Sequence, residues 1–128
     1  MTGKERVKAT FEGRVLDRPA IWEQGFASRP ASKLMGRPMK TGGGRFRFEM
    51  ACAAGRGDDE LAEYQRQSWR AIADLAEELD WDVVSVPWGF AAKPTRWLDD
   101  RAFVIGEQRP GKTWSVHRFD PDTDTFQE

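Results

Sequence analysis

Apolar residues recur at steps of three and four along parts of this chain, and crowd into short runs elsewhere. Val7 and Phe11, four apart, put an apolar stripe on a helix. Thr2 and Glu5 stand in capping-box spacing at its start, where the hydroxyl and the carboxylate each satisfy a free N–H. Gly13 suits the left-handed position just past its end. Asp17-Arg18-Pro19 then forces an extended entry, because proline pushes its predecessor out of the helical region. A short apolar strand follows over Ala20–Glu23. Ser28 is placed to cap a second helix with Pro30 at its first position, Leu34 and Met35 buried and Gly36 as its stop. Gly42-Gly43-Gly44 predicts a flexible hinge or a tight loop. The stretch 45–54 carries two patterns. Phe46, Phe48 and Met50 alternate like a strand, whereas Glu49–Ala54 reads as helix, which is the preferred reading.

The clearest helix runs from Asp58 to about Leu79 or Asp80. Asp58, Asp59 and Glu60 place negative charge at its positive end, and Leu61, Tyr64, Ser68, Ile72, Leu75 and Leu79 form its inner face. After Trp81-Asp82, the run Val83–Val86 predicts a strand covered on both faces, closed by Pro87. Strand, helices and a second buried strand are the grammar of a parallel α/β sheet. Beyond Gly89 the texture changes. Lys93–Arg96 reads as a loop, Ala102–Ile105 and Thr113–Phe119 as strands, Arg109–Lys112 and Asp120–Asp124 as turns, and Thr125–Gln127 as a last extended piece. The chain therefore divides into βα units over 1–90 and an antiparallel meander over 91–128, with no internal repeat.

A length of 128 residues predicts one domain. With 20 basic and 21 acidic residues the net charge is −1, which draws the chain to neither nucleic acid nor an anionic membrane. The single cysteine, Cys52, excludes an internal disulfide and fits a reducing cytoplasm. The first residues carry charge rather than an apolar run, so no signal peptide is expected. No stretch approaches the roughly 18 apolar residues that span a bilayer. Six Trp and eight Phe imply an aromatic core, an aromatic pocket, or both.

Most candidate chemistry has a plainer reading. His117 is the one histidine and has no second ligand near it in sequence, which favours a structural role. Cys52 lies in Met-Ala-Cys-Ala-Ala, the setting of an inert packing thiol. Gly42-Gly43-Gly44-Arg45 offers backbone N–H groups to a phosphate or carboxylate, but lacks P-loop spacing. Asp122 and Asp124 alternate as in a calcium loop, yet the glycine and distant glutamate such a loop needs are missing. The strand ends are stronger candidates, because ligands of parallel α/β folds meet the C-terminal ends of strands. Those ends carry Trp22, Glu23 and Gln24 after the first strand and Trp88 after the second, with Arg29, Lys93 and Arg96 within reach. The plainer alternative is that Trp22 and Trp88 simply close the end of the sheet.

The stretch KERVKATFEGRVLDRPAIWEQGF resembles the opening helix, Asp-Arg-Pro turn and first barrel strand of the uroporphyrinogen decarboxylase superfamily. Leu34-Met35-Gly36-Arg37 resembles its next helix end. Leu79-Asp80-Trp81-Asp82-Val83-Val84 resembles its second strand, and Trp114–Phe119 a strand of its inserted meander. The resemblance implies an α/β fold, the first two βα units of a TIM barrel plus the meander. A whole barrel takes about 250 residues, so the chain corresponds to an N-terminal portion. The family holds true decarboxylases and cobalamin-linked methyltransferases. The decarboxylases bind substrate carboxylates through an Arg-Gln-Ala-Gly-Arg segment and use an Asp after strand two. Here the first segment reads Glu23-Gln24-Gly25-Phe26-Ala27-Ser28-Arg29 and the second Pro87-Trp88-Gly89. Only Arg29 supplies a guanidinium, which argues against decarboxylation. The resemblance thus implies methyl transfer as the parent activity, with porphyrinogen decarboxylation second.

On that reading the substrate is a small molecule, bound by Trp22, Glu23, Gln24, Arg29, Trp88 and Arg96. The chain itself holds no cofactor. Zinc and cobalamin belong to the full-length parent, with a corrinoid protein as partner. An open barrel edge predicts self-association. The competing expectation is a self-contained α+β binding module, with Trp22, Trp88 and Trp114 gathered round one closed pocket.

Overall fold

The computed structural model describes residues 1–86 and 93–128. Helix α1 (Gly3–Phe11) begins at the expected capping box, with the Thr2 N–H donating to Glu5 Oε2 at 2.7 Å and the Glu5 N–H to Thr2 Oγ1 at 3.3 Å. It ends in a Schellman motif. Gly13, at φ 64°, donates to Thr10 O, and the Arg14 N–H to Ala9 O at 2.9 Å. The apolar stripe is narrower than Val7 and Phe11 suggest, since Phe11 is 88% exposed and Ala9 is the residue that is buried.

An ion-pair network docks α1, beside the buried Ala9. The Asp82 carboxylate, 1% exposed, accepts from Arg6 Nη1 at 2.6 Å, from Arg18 Nη1 at 2.6 Å and from the Ile21 N–H at 2.8 Å. Arg6 also reaches Asp17, and Arg18 reaches Asp80. The Asp-Arg-Pro turn is therefore one wall of an ion-pair network that closes on the residue just before the second strand. The Ile21 N–H, followed by the two guanidiniums, holds the Asp82 carboxyl below its ordinary range.

Strand β1 (Trp22–Glu23) pairs in parallel with β2 (Val83–Val84), in register Trp22↔Val83 and Glu23↔Val84. Helices α2 (Ser28–Met35), α3 (Gly43–Arg56) and α4 (Asp58–Glu78) form the crossover. Such a connection is what parallel neighbours require. Both strands are shorter than the apolar runs Ala20–Glu23 and Val83–Val86 predict. Nor is the pair covered on both faces: Val84 is 47% exposed and Val86 64%. Among the described residues the sheets close no barrel, and the architecture is mixed α/β.

In α2 the cap is Ala27, with no side-chain bond. Ser28 is instead the first helical residue, and Pro30 stands two positions further in. The Ser28 hydroxyl accepts the Thr41 N–H at 3.0 Å and donates to Gly42 O at 2.8 Å, while Ser32 Oγ accepts the Met39 N–H at 2.8 Å. These bonds lay the segment 39–42 along α2. Met35 packs on the core as expected, but Leu34 is 52% exposed. One core cluster joins Ala31, Met39, Ala71 and Leu75, with Phe26 and Trp81 against it. A second joins Phe46, Met50 and Ala53 of α3 to Tyr64 of α4.

The C-terminal sheet is a four-stranded antiparallel meander in the order β3-β4-β5-β6: β3 (Pro94–Trp97), β4 (Ala102–Gly106), β5 (Trp114–Asp120) and β6 (Thr125–Gln127). The stretch predicted as a loop around Lys93–Arg96 is thus largely a strand, with Trp97 opposite Phe103 and a register shift between Pro94 and Arg96. Phe48 of α3 enters the inner face of this sheet. Its ring stacks on Phe119 at 4.9 Å between centroids and lies 6.2 Å from both Phe103 and Phe126. Helix α3 is therefore shared, with Phe46 and Met50 facing α4 and Phe48 facing the meander.

Candidate functional site

At the ends of β1 and β2 the chain leaves the sheet through Gln24-Gly25-Phe26 and Ser85-Val86. The Trp22 indole N–H donates to Ser85 Oγ at 2.6 Å, which ties the two strand ends together. Beside them lies a cavity of about 30 Å³ lined by Glu23, Gln24, Phe26, Thr41, Trp81 and Ser85, among others. Its floor is aromatic, with Phe26 and Trp81 rings 6.0 Å apart. Its upper wall is polar. Thr41 is buried, and its Oγ1 has no hydrogen-bond partner among the described residues. A buried hydroxyl without a partner is costly, and a space of this size holds one water or one small polar group.

The residues expected to form the site separate into three places. Glu23 and Gln24 line the strand-end cavity, and Trp22, 55% exposed, stands next to it. Arg29 lies on α2 in a neighbouring cleft of about 510 Å³, where its Nη1 donates to Asp122 O at 3.1 Å. Arg96 lies on β3, over a shallow groove of about 260 Å³, with its Nη2 2.6 Å from Gln108 Oε1. Trp88 falls outside the described residues. Trp22 and Trp114 belong to different sheets and are each about half exposed.

Two hydroxyl-bearing residues of the strand-end cavity are absent from the expected set. Ser85 carried a signal, as the one hydroxyl in a valine run. Thr41 carried none, because only the clamp from Ser28 and Ser32 brings its segment under the strands.

The residues with plainer readings also find their places. His117 lies on the inner face of the meander, its ring 5.4 Å from Phe126 and its Nε2 2.8 Å from Ser115 Oγ. Burial pushes the Cys52 thiol above its ordinary range, the opposite of what a nucleophile needs. The Gly42–Arg45 stretch, which is the start of α3 rather than a loop, does cradle a carboxylate, and it is the chain's own. The Arg45 N–H donates to Asp124 Oδ1 at 2.8 Å and the Gly44 N–H to Asp124 O at 3.2 Å. Asp124 of the last turn thus closes a helix end. Among the described residues no three His, Cys, Asp or Glu side chains converge as a metal site, and no helix is long and apolar enough to cross a membrane. Compared with protein-family models, with curated proteins and with solved structures, the chain matches none.

Proposed function

We propose that this chain is the N-terminal portion of a uroporphyrinogen decarboxylase-like TIM barrel whose activity is cobalamin-linked methyl transfer. The observation that carries the reading is the parallel pairing of β1 and β2 across three helices, with Ile21, Trp22, Val84 and Val86 left exposed. Parallel strands are ordinarily paired and covered on both sides. Apolar side chains here stand where further strands and helices of a barrel would pack. In this reading the strand-end cavity is one wall of the substrate site. Glu23, Gln24 and Thr41 present polar atoms to a small substrate, and Phe26 and Trp81 exclude water beneath it.

The donor set of this chain does not fit zinc, since no three ligand side chains converge among the described residues. The metal and the corrinoid partner belong to a later part of the barrel in this reading, and no step of the transfer is assigned to residues here. Decarboxylation is second. It needs several cations at the strand ends, yet Glu23 and Gln24 occupy that position and Arg29 is turned toward Asp122.

The test is the complete reading frame that carries this chain, purified with zinc and supplied with cobalamin and small methyl donors. Methyl transfer, read as the change in the corrinoid's visible spectrum without release of CO2 from a porphyrinogen, is the expected result. Release of CO2 without corrinoid turnover would replace methyl transfer by decarboxylation. Inactivity in both assays, with this chain alone a monodisperse monomer that melts sharply, would overturn the family reading in favour of a binding module.

A further inference from the structure

The cleft of about 510 Å³ beside α2 is large enough for a small ligand. Its walls come from four places in the chain: α2, the segment 38–40, the first turns of α3, and the β5–β6 turn. Three residues with cationic side chains line it, from three of these walls. Arg29 comes from α2, Lys40 from the segment after it and Arg45 from α3.

Two carboxylates also line the cleft, and both are engaged by groups of the fold. Asp124 accepts the Arg45 backbone N–H at 2.8 Å, at the positive end of α3. Glu49 accepts the Tyr64 hydroxyl at 3.3 Å. The cations are less well matched. Among the described residues Arg29 and Lys40 form no ion pair, and the Arg45 guanidinium lies at 3.9 Å from Glu49. Arg29 meets only a carbonyl, and the Lys40 ammonium meets neutral Gln67 and sits 4.7 Å over the Tyr64 ring.

The elements that carry these cations are held in place. Ser28, 2% exposed, and Ser32 bond the Lys40 segment onto the helix that carries Arg29. Asp124 fixes the start of the helix that carries Arg45. Cations on pre-positioned elements, short of carboxylate partners around a ligand-sized space, are what a small dianion requires. We infer that this cleft binds a small dianionic molecule, a phosphate ester or a dicarboxylate, between Arg29, Lys40 and Arg45. The inference does not depend on the barrel reading, because it uses only the cleft.

The experiment is a titration of the chain at about pH 8 with sodium glycerol 3-phosphate and, separately, with sodium succinate, both dianions there, followed by amide chemical shifts at constant ionic strength set with chloride. Saturable shifts confined to residues 28–49 and 120–125 are expected with at least one probe. Preference for the phosphate ester assigns a phosphate ligand, and preference for succinate a dicarboxylate. Lys40→Gln and Arg45→Gln should each weaken binding about two- to fivefold, and Lys40→Arg should keep it. Arg70→Gln, on the exposed face of α4, should leave it unchanged. Circular dichroism of each variant separates lost binding from lost folding. No saturable shift with either probe overturns the proposal. So does binding that the Lys40 and Arg45 variants leave intact while they remain folded.

Discussion

Replacing Gly44 by alanine tests whether the last turn of the chain closes the start of α3. A Cβ at Gly44 would stand 2.2 Å from the Asp124 carbonyl oxygen and 2.6 Å from its carbonyl carbon. Both atoms are backbone, so no side chain can swing aside, and the turn must lift from the helix. Overpacking of this kind costs about 1–3 kcal/mol. Lifting the turn also breaks the Gly44 N–H bond to Asp124 O and the Arg45 N–H bond to its carboxylate. These are worth about 1 kcal/mol for the neutral bond and about 1.5–3 kcal/mol for the charged one. Alanine returns about 1 kcal/mol as the better helix former. The net loss is about 2.5–6 kcal/mol, a large share of the stability of an ordinary domain. A urea titration followed by circular dichroism reads it directly. Gly55→Ala is the paired control on the same helix, since its Cβ would meet the Pro94 side chain at 3.5 Å, an ordinary contact. That variant should gain about 0.5–1 kcal/mol. If Gly44→Ala unfolds within about 0.5 kcal/mol of the parent, the close approach of turn and helix is wrong. If both variants lose equally, α3 is merely marginal.

Three further outcomes follow from the same contacts. Asp82→Asn should lower the melting temperature at pH 7. Asp82 and Asp17 are both held below the ordinary carboxylate range, the first chiefly by the Ile21 N–H and the second by Arg6. Their contribution is complete above about pH 4 and is lost as pH falls through the lower folded values. The variant should therefore lose less stability than the parent between about pH 4 and pH 2, and superimposable acid limbs would refute this. Tyr64, the one tyrosine of the chain, is pushed up by burial and then by Glu49. Its neutral form is favoured in the fold, so its stabilising share is present below about pH 10 and lost above it. Tyrosinate absorbance should thus rise only together with alkaline unfolding, and a rise in the folded protein would count against its burial. Phe48→Ala should cost about 3 kcal/mol and collapse the near-ultraviolet circular dichroism of the aromatic cluster. A near-ultraviolet spectrum like that of the parent would show that Phe48 does not fill the meander.

What the chain showed before its structure was local. The Thr2–Glu5 box, the Gly13 stop and the long face of α4 are each written within a few neighbouring residues, and each stands where expected. What it hid is contact at a distance. The spacing of Phe46, Phe48 and Met50 imitates a strand because α3 is buried on two sides. Residues two apart on a helix point about 200° apart, so alternate positions serve α4 and the meander in turn. Asp124 closes a helix whose first residues lie far back in the chain, and no pattern near either end announces it. Glu23, Gln24 and Arg29, three of the expected site residues, lie within one short stretch of chain, but the turn into α2 sends Arg29 to the large cleft while Glu23 and Gln24 stay at the strand ends.

The β1–β2 pair is where the local pattern and the finished fold disagree most, and the disagreement is informative. A valine run is normally a sign of burial on both faces. Here the run pairs over two residues on one edge, and Val84 and Val86 remain about half to two-thirds exposed. The same chain buries Phe103 and Val104 almost completely in the meander, so its composition is not short of cover. Asp82, meanwhile, gathers two arginines and a backbone N–H to hold the base of β2 against α1 and the turn before β1. On the barrel proposal, the exposed Val84 and Val86 side chains are the surface that the rest of the fold would cover. That is why the proposal rests on this pair of strands rather than on any one side chain.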